Sequence, residues 1–170
     1  FVDSMSDLFH EDVPDQAIDR VFAVMVLAPQ HLFMILTKRP ERMRQYLSNT
    51  TGAGNVLVRV IDAARGLPKP RGFEHPESIG WPYRNVWLGV SAEDQERADE
   101  RIPLLLDTPA AVRFVSAEPL LGPIELDRGP REARFWSPPD KWLHWVIVGG
   151  ESGPHARPFD VAWARSIVEQ

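Results

Sequence analysis

Polar and charged side chains follow each short apolar run of this sequence that has the length of a β-strand. When such runs form a parallel sheet, they end at one common edge, where loops and helix N-termini bind ligands. The segments that follow the runs are Asp3–Asp7, Thr37–Pro40, Ser91–Asp94, Ser116–Pro119 and Gly149–Ser152. Hydroxyl groups, carboxylates and cations would meet at this edge, and we expect the functional site there.

Two adjacent cations, Lys38 and Arg39, follow the apolar run that ends at Leu36. This pair suits a carboxylate or a phosphate, because the Arg39 guanidinium can bind two oxygens of one anion. We expect Thr37, Lys38, Arg39 and Asp7 to bind the substrate. A solvated loop is the alternative interpretation.

Two carboxylates at neighbouring strand ends are candidates for catalysis. Glu118 lies between a buried run and Pro119, which stiffens the turn, and Glu151 lies in a glycine-rich run. We expect Glu118 and Glu151 to be catalytic.

The run from Gly149 to Gly153 contains three glycines, which would let a ligand approach the backbone. Its carboxylate can accept hydrogen bonds from an ammonium group or from hydroxyls. The residues expected to bind a cofactor are Gly149, Gly150, Glu151, Ser152, Ser91 and Ser116. A plain glycine turn, and helix capping by Ser91 ahead of Glu93 and Asp94, are the alternatives.

No metal site is expected from the sequence. The five histidines lack the spacing of metal ligands, and the chain has no cysteine, so it holds no thiolate zinc site and no cysteine-bound iron–sulfur cluster of its own.

Hydrophobic periodicity predicts alternating strands and helices. The predicted strands are the tail at Phe1–Asp3, Leu32–Leu36, Asn85–Ser91, Val112–Ser116 and Leu143–Val148. The predicted helices begin near Pro14, span Glu41–Leu47, Val56–Ala64 and Ala92–Leu106, and begin again near Asp160. On the fourth helix Arg97, Glu100 and Arg101 are expected to face outward; on the last, Val161, Ala164, Ile167 and Val168 are expected to share one apolar face. Trp87 and Trp145 are expected in the core.

About five βα units predict an α/β fold with a parallel sheet, as part of a TIM-type barrel, with a doubly wound sheet as the alternative. Residues 1–170 are expected to form a single domain with loop insertions near 65–84 and 120–142. The chain opens at Phe1 and ends within a helical pattern at Gln170, so we expect it to be a piece of a longer protein. Unpaired strand edges would favour a homo-oligomer.

Composition narrows the class of protein. The 170 residues carry 19 Lys and Arg against 24 Asp and Glu, a net charge of −5, so bulk charge does not predict nucleic-acid binding. No apolar stretch approaches the roughly 18 residues of a membrane span. We expect a cytoplasmic protein that is not bound to a membrane and takes a small or nucleotide-like molecule.

Five ordered motifs resemble the phage gene-product 37 / gene-product 68 family. They are Ser4–Phe9, Leu36–Pro40, Asn85–Ser91, Ser116–Gly122 and Gly149–Gly153. Members of that family look like radical S-adenosylmethionine (SAM) proteins, in which a cysteine cluster precedes the barrel units. The run Gly149-Gly150-Glu151 is similar to the Gly-Gly-Glu that binds the SAM amino group in such enzymes.

The resemblance implies a phage-related, radical-SAM-like barrel enzyme whose cluster cysteines lie outside this chain. SAM and an iron–sulfur cluster would then serve the intact protein. One alternative is a barrel hydrolase that uses Glu118 and Glu151 as acid and base. Another is a non-catalytic phage accessory protein that binds nucleic acid or a partner through Arg65, Lys69, Arg71 and the Arg128, Arg131 and Arg134 loop.

Overall fold

The computed structural model describes residues 1–2, 6–52, 54–70, 80–126 and 142–170, which contain five helices and four strands. In chain order they are α1 (Asp15–Leu27), β1 (Phe33–Thr37), α2 (Pro40–Ser48), α3 (Val56–Arg65), β2 (Val86–Ser91), α4 (Gln95–Leu106), β3 (Val112–Ala117), β4 (Trp145–Val148) and α5 (Val161–Glu169). Each helix expected from the periodicity within these ranges is present, as are the expected strands from Leu32 onward, with ends displaced by a few residues.

The four strands form one parallel sheet in the order β1-β2-β3-β4. Val2 makes an isolated parallel bridge to Ile35 on the far side of β1, so of the two described residues of the expected N-terminal strand tail, Phe1 and Val2, only Val2 pairs with the sheet. The α/β class and the parallel sheet are confirmed. The described strands form an open sheet, without the reversal of order that defines a doubly wound fold.

One face of the sheet packs against the helices and forms the main core. Ile35, Leu88, Val90 and Val115 from the strands belong to the same buried cluster as Phe22 of α1, which is 1% exposed. Alternate residues along a strand point to opposite faces, so these side chains mark the helical side of the sheet. This side contains most of the buried apolar surface that stabilises the fold.

The other face carries aromatic side chains beside a glycine. Trp87 and Trp145 lie edge to face with ring centroids 6.1 Å apart, and the Phe114 ring lies against the backbone of Gly89. Trp145 is 44% exposed, so the expectation that it lies in the core is wrong. It sits on the face of the sheet opposite the helix-covered core, on strand β4 at the sheet's edge.

Two expectations about helix faces need correction. Arg101 of α4 is buried, not turned outward, because its guanidinium reaches back to the end of β2. On α5 only Ile167 is buried, whereas Val161 and Val168 are exposed. Of the four residues expected to share an apolar face, Ile167 alone is therefore buried in the core.

The two expected loop insertions contain no helix or strand in their described parts, 66–70, 80–84 and 120–126. Residues 71–79 and 127–141, with Arg71, Arg128, Arg131 and Arg134, lie outside the described residues. None of the helices in the described ranges has the length and apolar character needed to cross a bilayer.

Candidate functional site

The carboxyl edge of the sheet gathers most of the residues that the sequence marks as functional. Thr37 ends β1 and Ser91 ends β2, and Ser91 lies beside Ser116 of β3 in the strand register. Both serines and Thr37 are buried. The parallel direction of the strands therefore brings three hydroxyl groups to one edge, as expected.

Asp7 organises the β1 side of this edge. Its Oδ1 accepts hydrogen bonds from the Thr37 hydroxyl at 2.7 Å and the Phe9 amide at 2.9 Å. Its Oδ2 accepts from the Lys38 amide at 2.9 Å and from Arg39 Nη1 at 3.1 Å. The four expected substrate-binding residues therefore form one connected unit.

Electrostatics keep the Asp7 carboxylate ionised. Partial burial acts to raise its pKa, but hydrogen bonds from Lys38, Thr37, Phe9 and Arg39 outweigh burial and hold the pKa below its ordinary value of 3.8. An ionised Asp7 fixes the backbone of the loop and one nitrogen of Arg39. The Arg39 side chain as a whole is 39% exposed, so its guanidinium also faces solvent.

A second carboxylate, Glu93, links the β1 cations to helix α4. Its Oε1 lies 2.5 Å from Lys38 Nζ, and its Oε2 lies 3.2 Å from Arg101 Nη1, which also donates to the Ser91 carbonyl at 2.9 Å. Burial raises the pKa of Glu93, but the ion pairs with Lys38 and Arg101 and its own backbone hydrogen bond lower it more. Lys38, Arg39 and Arg101 are thus each paired with Asp7 or Glu93.

The sequence alone did not single out Glu93 or Arg101. Arg101 is three residues after Ala98 and four before Leu105, a spacing that places it on the buried face of α4. That spacing could have predicted from the sequence that Arg101 is buried. The suggested capping role of Ser91 is wrong, because the Asp94 side chain accepts from the Arg97 amide at 2.9 Å and caps α4.

An open cavity of about 590 Å³ lies at this edge. Its lining includes Asp7, Thr37, Lys38, Arg39 and Ser91, together with Ser6, His10, Val13 and Leu36. This volume falls within the range of small-molecule sites. Its polar groups converge from the loop before α1, the end of β1 and the end of β2.

The residues expected on the β3 and β4 side do not line this cavity. Ala117 pairs with Val148, so the segments after them leave the sheet side by side, and the Leu120 amide donates to the Gly149 carbonyl at 2.8 Å. β1 and β4 are three strand spacings apart, about 14 Å. Lys38 and Glu151 therefore lie at the same edge without sharing the cavity.

Side chains lie against the first two glycines of the Gly149–Gly153 run. A Cβ on Gly149 would lie 2.7 Å from Glu118 Oε1, and a Cβ on Gly150 would lie 3.0 Å from the Phe159 Cβ. Glu118, which is exposed, therefore covers Gly149. Ser152 is exposed at the end of this run.

Glu151 forms a bidentate ion pair with Arg157. Its Oε2 accepts from Arg157 Nε at 2.7 Å and from the Arg157 amide at 2.9 Å, and its Oε1 accepts from Nη2 at 2.8 Å. The hydrogen bonds from Arg157 lower the pKa of Glu151 to about 2. Such a carboxylate stays ionised at neutral pH and holds the loop together.

Among the described residues, no group of three or more His, Asp or Glu side chains is arranged to hold a metal ion.

Comparison with known proteins gives one match. No curated protein and no solved structure matches the chain. A family model described as "Protein of unknown function (DUF5131)" matches residues 1–170. Because that match spans the whole chain, the protein belongs to the DUF5131 family.

Proposed function

We propose that this protein is part of a barrel-type enzyme whose carboxyl edge binds a small anionic, nucleotide-like substrate through Lys38 and Arg39. The observation that supports this most is the cavity of about 590 Å³, which both cations line. Within the lining of this cavity Lys38 and Arg39 outnumber Asp7, the one carboxylate there, and this favours an anionic group. In this proposal Asp7 and Glu93 orient the two cations.

The order of the strands supports the barrel part of the proposal. Sequential parallel strands with helices packed on one face are the repeating unit of a TIM-type barrel, whose inner face is filled by large side chains. Phe114, Trp87 and Trp145 lie on the face opposite the core cluster. That face would become the interior of a closed barrel.

The radical reaction class comes from the family resemblance, not from the site. The chain has no cysteine, so it supplies no thiolate for an iron–sulfur cluster. The Gly149–Glu151 run does not fit a SAM ammonium group either, because Arg157 engages both Glu151 oxygens and side chains cover both glycines. The described residues therefore support the binding of a substrate at this edge.

Adenosine monophosphate (AMP) binding, measured by isothermal titration calorimetry, tests the proposal. Lys38→Gln removes one cation from the cavity, and we expect it to weaken AMP binding at least fivefold. Lys69→Gln is the matched control, because Lys69 is exposed and lies outside the cavity. Absence of AMP binding, or equal weakening by the two substitutions, would contradict the proposal.

A further inference from the structure

Lys38 and Arg39 line a second cavity as well as the first. The second cavity has a volume of about 570 Å³ and lies between the start of α2 and the side of α4. Apart from the two cations, its lining is different: Phe9, Glu11, Pro40, Glu41, Arg42, Gln45, Glu100 and Leu104. Two cavities of ligand size therefore meet at one pair of cations.

Charge distinguishes the two cavities. The second contains three exposed carboxylates, Glu11, Glu41 and Glu100, against one in the first, Asp7. Glu100 is paired with Arg97 at 2.7 Å, and the guanidinium of Arg42, which also lines the second cavity, donates to the backbone carbonyls of His10 and Val13. Carboxylates repel a second anion but accept hydrogen bonds from hydroxyl and amino groups. The group that suits the second cavity is therefore uncharged and hydroxylated, such as a nucleoside.

The exposure of the two cations allows contact from both sides. The Lys38 side chain is 58% exposed and that of Arg39 is 39% exposed, while Glu93 and Asp7 hold their positions. An anion seated on them can carry one substituent into each cavity. A ligand with a single substituent would leave one cavity filled with water.

We propose that the site binds a dinucleotide-type ligand, in which a central phosphate group contacts Lys38 and Arg39 and each cavity holds one nucleoside. This inference rests on the proposed function and narrows its substrate class. A nucleoside triphosphate is disfavoured, because its additional negative charges would face the carboxylates of Glu11, Glu41 and Glu100.

Three probes of defined charge test this inference on the full chain by calorimetry. AMP and diadenosine diphosphate both carry about two negative charges at neutral pH, while adenosine diphosphate adds charge without a second nucleoside. We expect diadenosine diphosphate to bind at least tenfold more tightly than AMP, and adenosine diphosphate to stay within threefold of AMP. If diadenosine diphosphate binds no better than AMP, the inference is wrong.

Substitutions that fill one cavity at a time show where each of the two nucleosides of the ligand binds. Gln45→Trp obstructs the second cavity and His10→Trp obstructs the first, and each should bring diadenosine diphosphate to within threefold of AMP. With Gln45→Trp, AMP binding should change less than threefold, because the first cavity stays open, whereas His10→Trp obstructs that cavity and should weaken the binding of both ligands. Ser48→Trp is the control, since Ser48 is exposed on α2 and lines neither cavity. A tenfold preference that survives both obstructing substitutions would overturn the assignment.

The outcomes separate this inference from the proposed function. AMP binding that depends on Lys38, without a preference for diadenosine diphosphate, rejects only the dinucleotide. No binding of any probe rejects both. A single-stranded oligonucleotide of ten residues that binds more than tenfold tighter than diadenosine diphosphate would replace the small ligand by a nucleic acid and overturn the inference.

Discussion

At the scale of single residues, Asp7 and Glu151 show how similar carboxylates serve different purposes. Asp7 joins the loop before α1 to the end of β1 and positions Arg39 beside a cavity. Glu151 is held by Arg157 within one loop and lines none of the cavities that contain the cations. Their partners, more than their residue type, decide which one can orient a ligand.

Loss of the Asp7 charge should destabilise the protein. Asp7→Asn removes a charged acceptor of four hydrogen bonds, and we expect it to lower the free energy of unfolding by on the order of 2 kcal/mol at neutral pH. The folded-state pKa is below 3.8, so the stabilisation is fully present above that value and is lost as the pH falls through the lower folded-state pKa. Urea unfolding should therefore show a smaller difference between wild type and variant in acid.

Asp12→Asn is the control for this experiment, because the Asp12 side chain is 87% exposed. The two substitutions make the same chemical change. Equal loss of stability in both variants would show that Asp7 does not have the structural role given to it here.

The Glu151–Arg157 pair predicts a titration that carbon-detected NMR can measure. The Glu151 carboxyl should titrate with a pKa of about 2. Arg157→Gln removes the side-chain hydrogen bonds, so the midpoint should rise toward the ordinary value of 4.5. A wild-type midpoint already near that ordinary value would show that the pair does not form in solution, and Glu151 would regain its place as a candidate acid.

At the scale of elements, the parallel strands bring the site together, and β2 depends on a glycine to do so. Gly89 lies beside Phe114 in the register, and its missing side chain makes room for the aromatic ring. β2 can therefore pair with β3 along its length, and Ser91 lies at the carboxyl edge beside Ser116.

Gly89→Ala should be destabilising, because its Cβ would overlap the Phe114 ring. Overpacking of this kind costs about 1 to 3 kcal/mol. Phe114→Leu removes the ring, so the alanine should cost less in that background, which a double-mutant cycle of unfolding free energies measures. Gly122→Ala, with no atom within 4 Å of the added Cβ, should have little effect. An identical cost of Gly89→Ala with and without the ring would contradict this packing.

Local signals explain which parts of the fold and site were predictable from sequence. The period of α1 and the apolar run of β1 are properties of neighbouring residues, so they predict those elements well. The proximity of Asp7 to Thr37, Lys38 and Arg39 was also predictable, because their segments follow apolar runs that end at one edge. The spacing of Arg101 from Ala98 and Leu105 favours its burial, but its charge was given more weight and wrongly placed it in solvent.

At the scale of the whole molecule, a negatively charged protein has a local positive site. The net charge is −5, whereas Lys38 and Arg39 line a cavity in which Asp7 is the one lining carboxylate. The field of the whole protein therefore opposes a long polyanion while the site still favours one compact anion. We therefore expect the site to bind a small anion in preference to a nucleic acid.

The salt dependence of binding should reflect this local site. A protein that contacts six to ten nucleic-acid phosphates loses about 10³ to 10⁵ in affinity between about 50 and about 200 mM salt. With two cations at the site, we expect AMP affinity to fall about tenfold or less over that range. A loss of a thousandfold in calorimetric titrations would indicate a much larger basic surface than the one described.

The position of the bound anion tests the central claim most directly. Amide chemical shifts recorded during a titration with AMP should change at residues 6–13, 36–42 and 91–94, around the carboxyl edge of β1 and β2. Residues 29–32 and 84–86, at the opposite edge of the same strands, should not respond. Shifts confined to the opposite edge, or spread evenly over the molecule, would contradict a binding site built on Lys38 and Arg39.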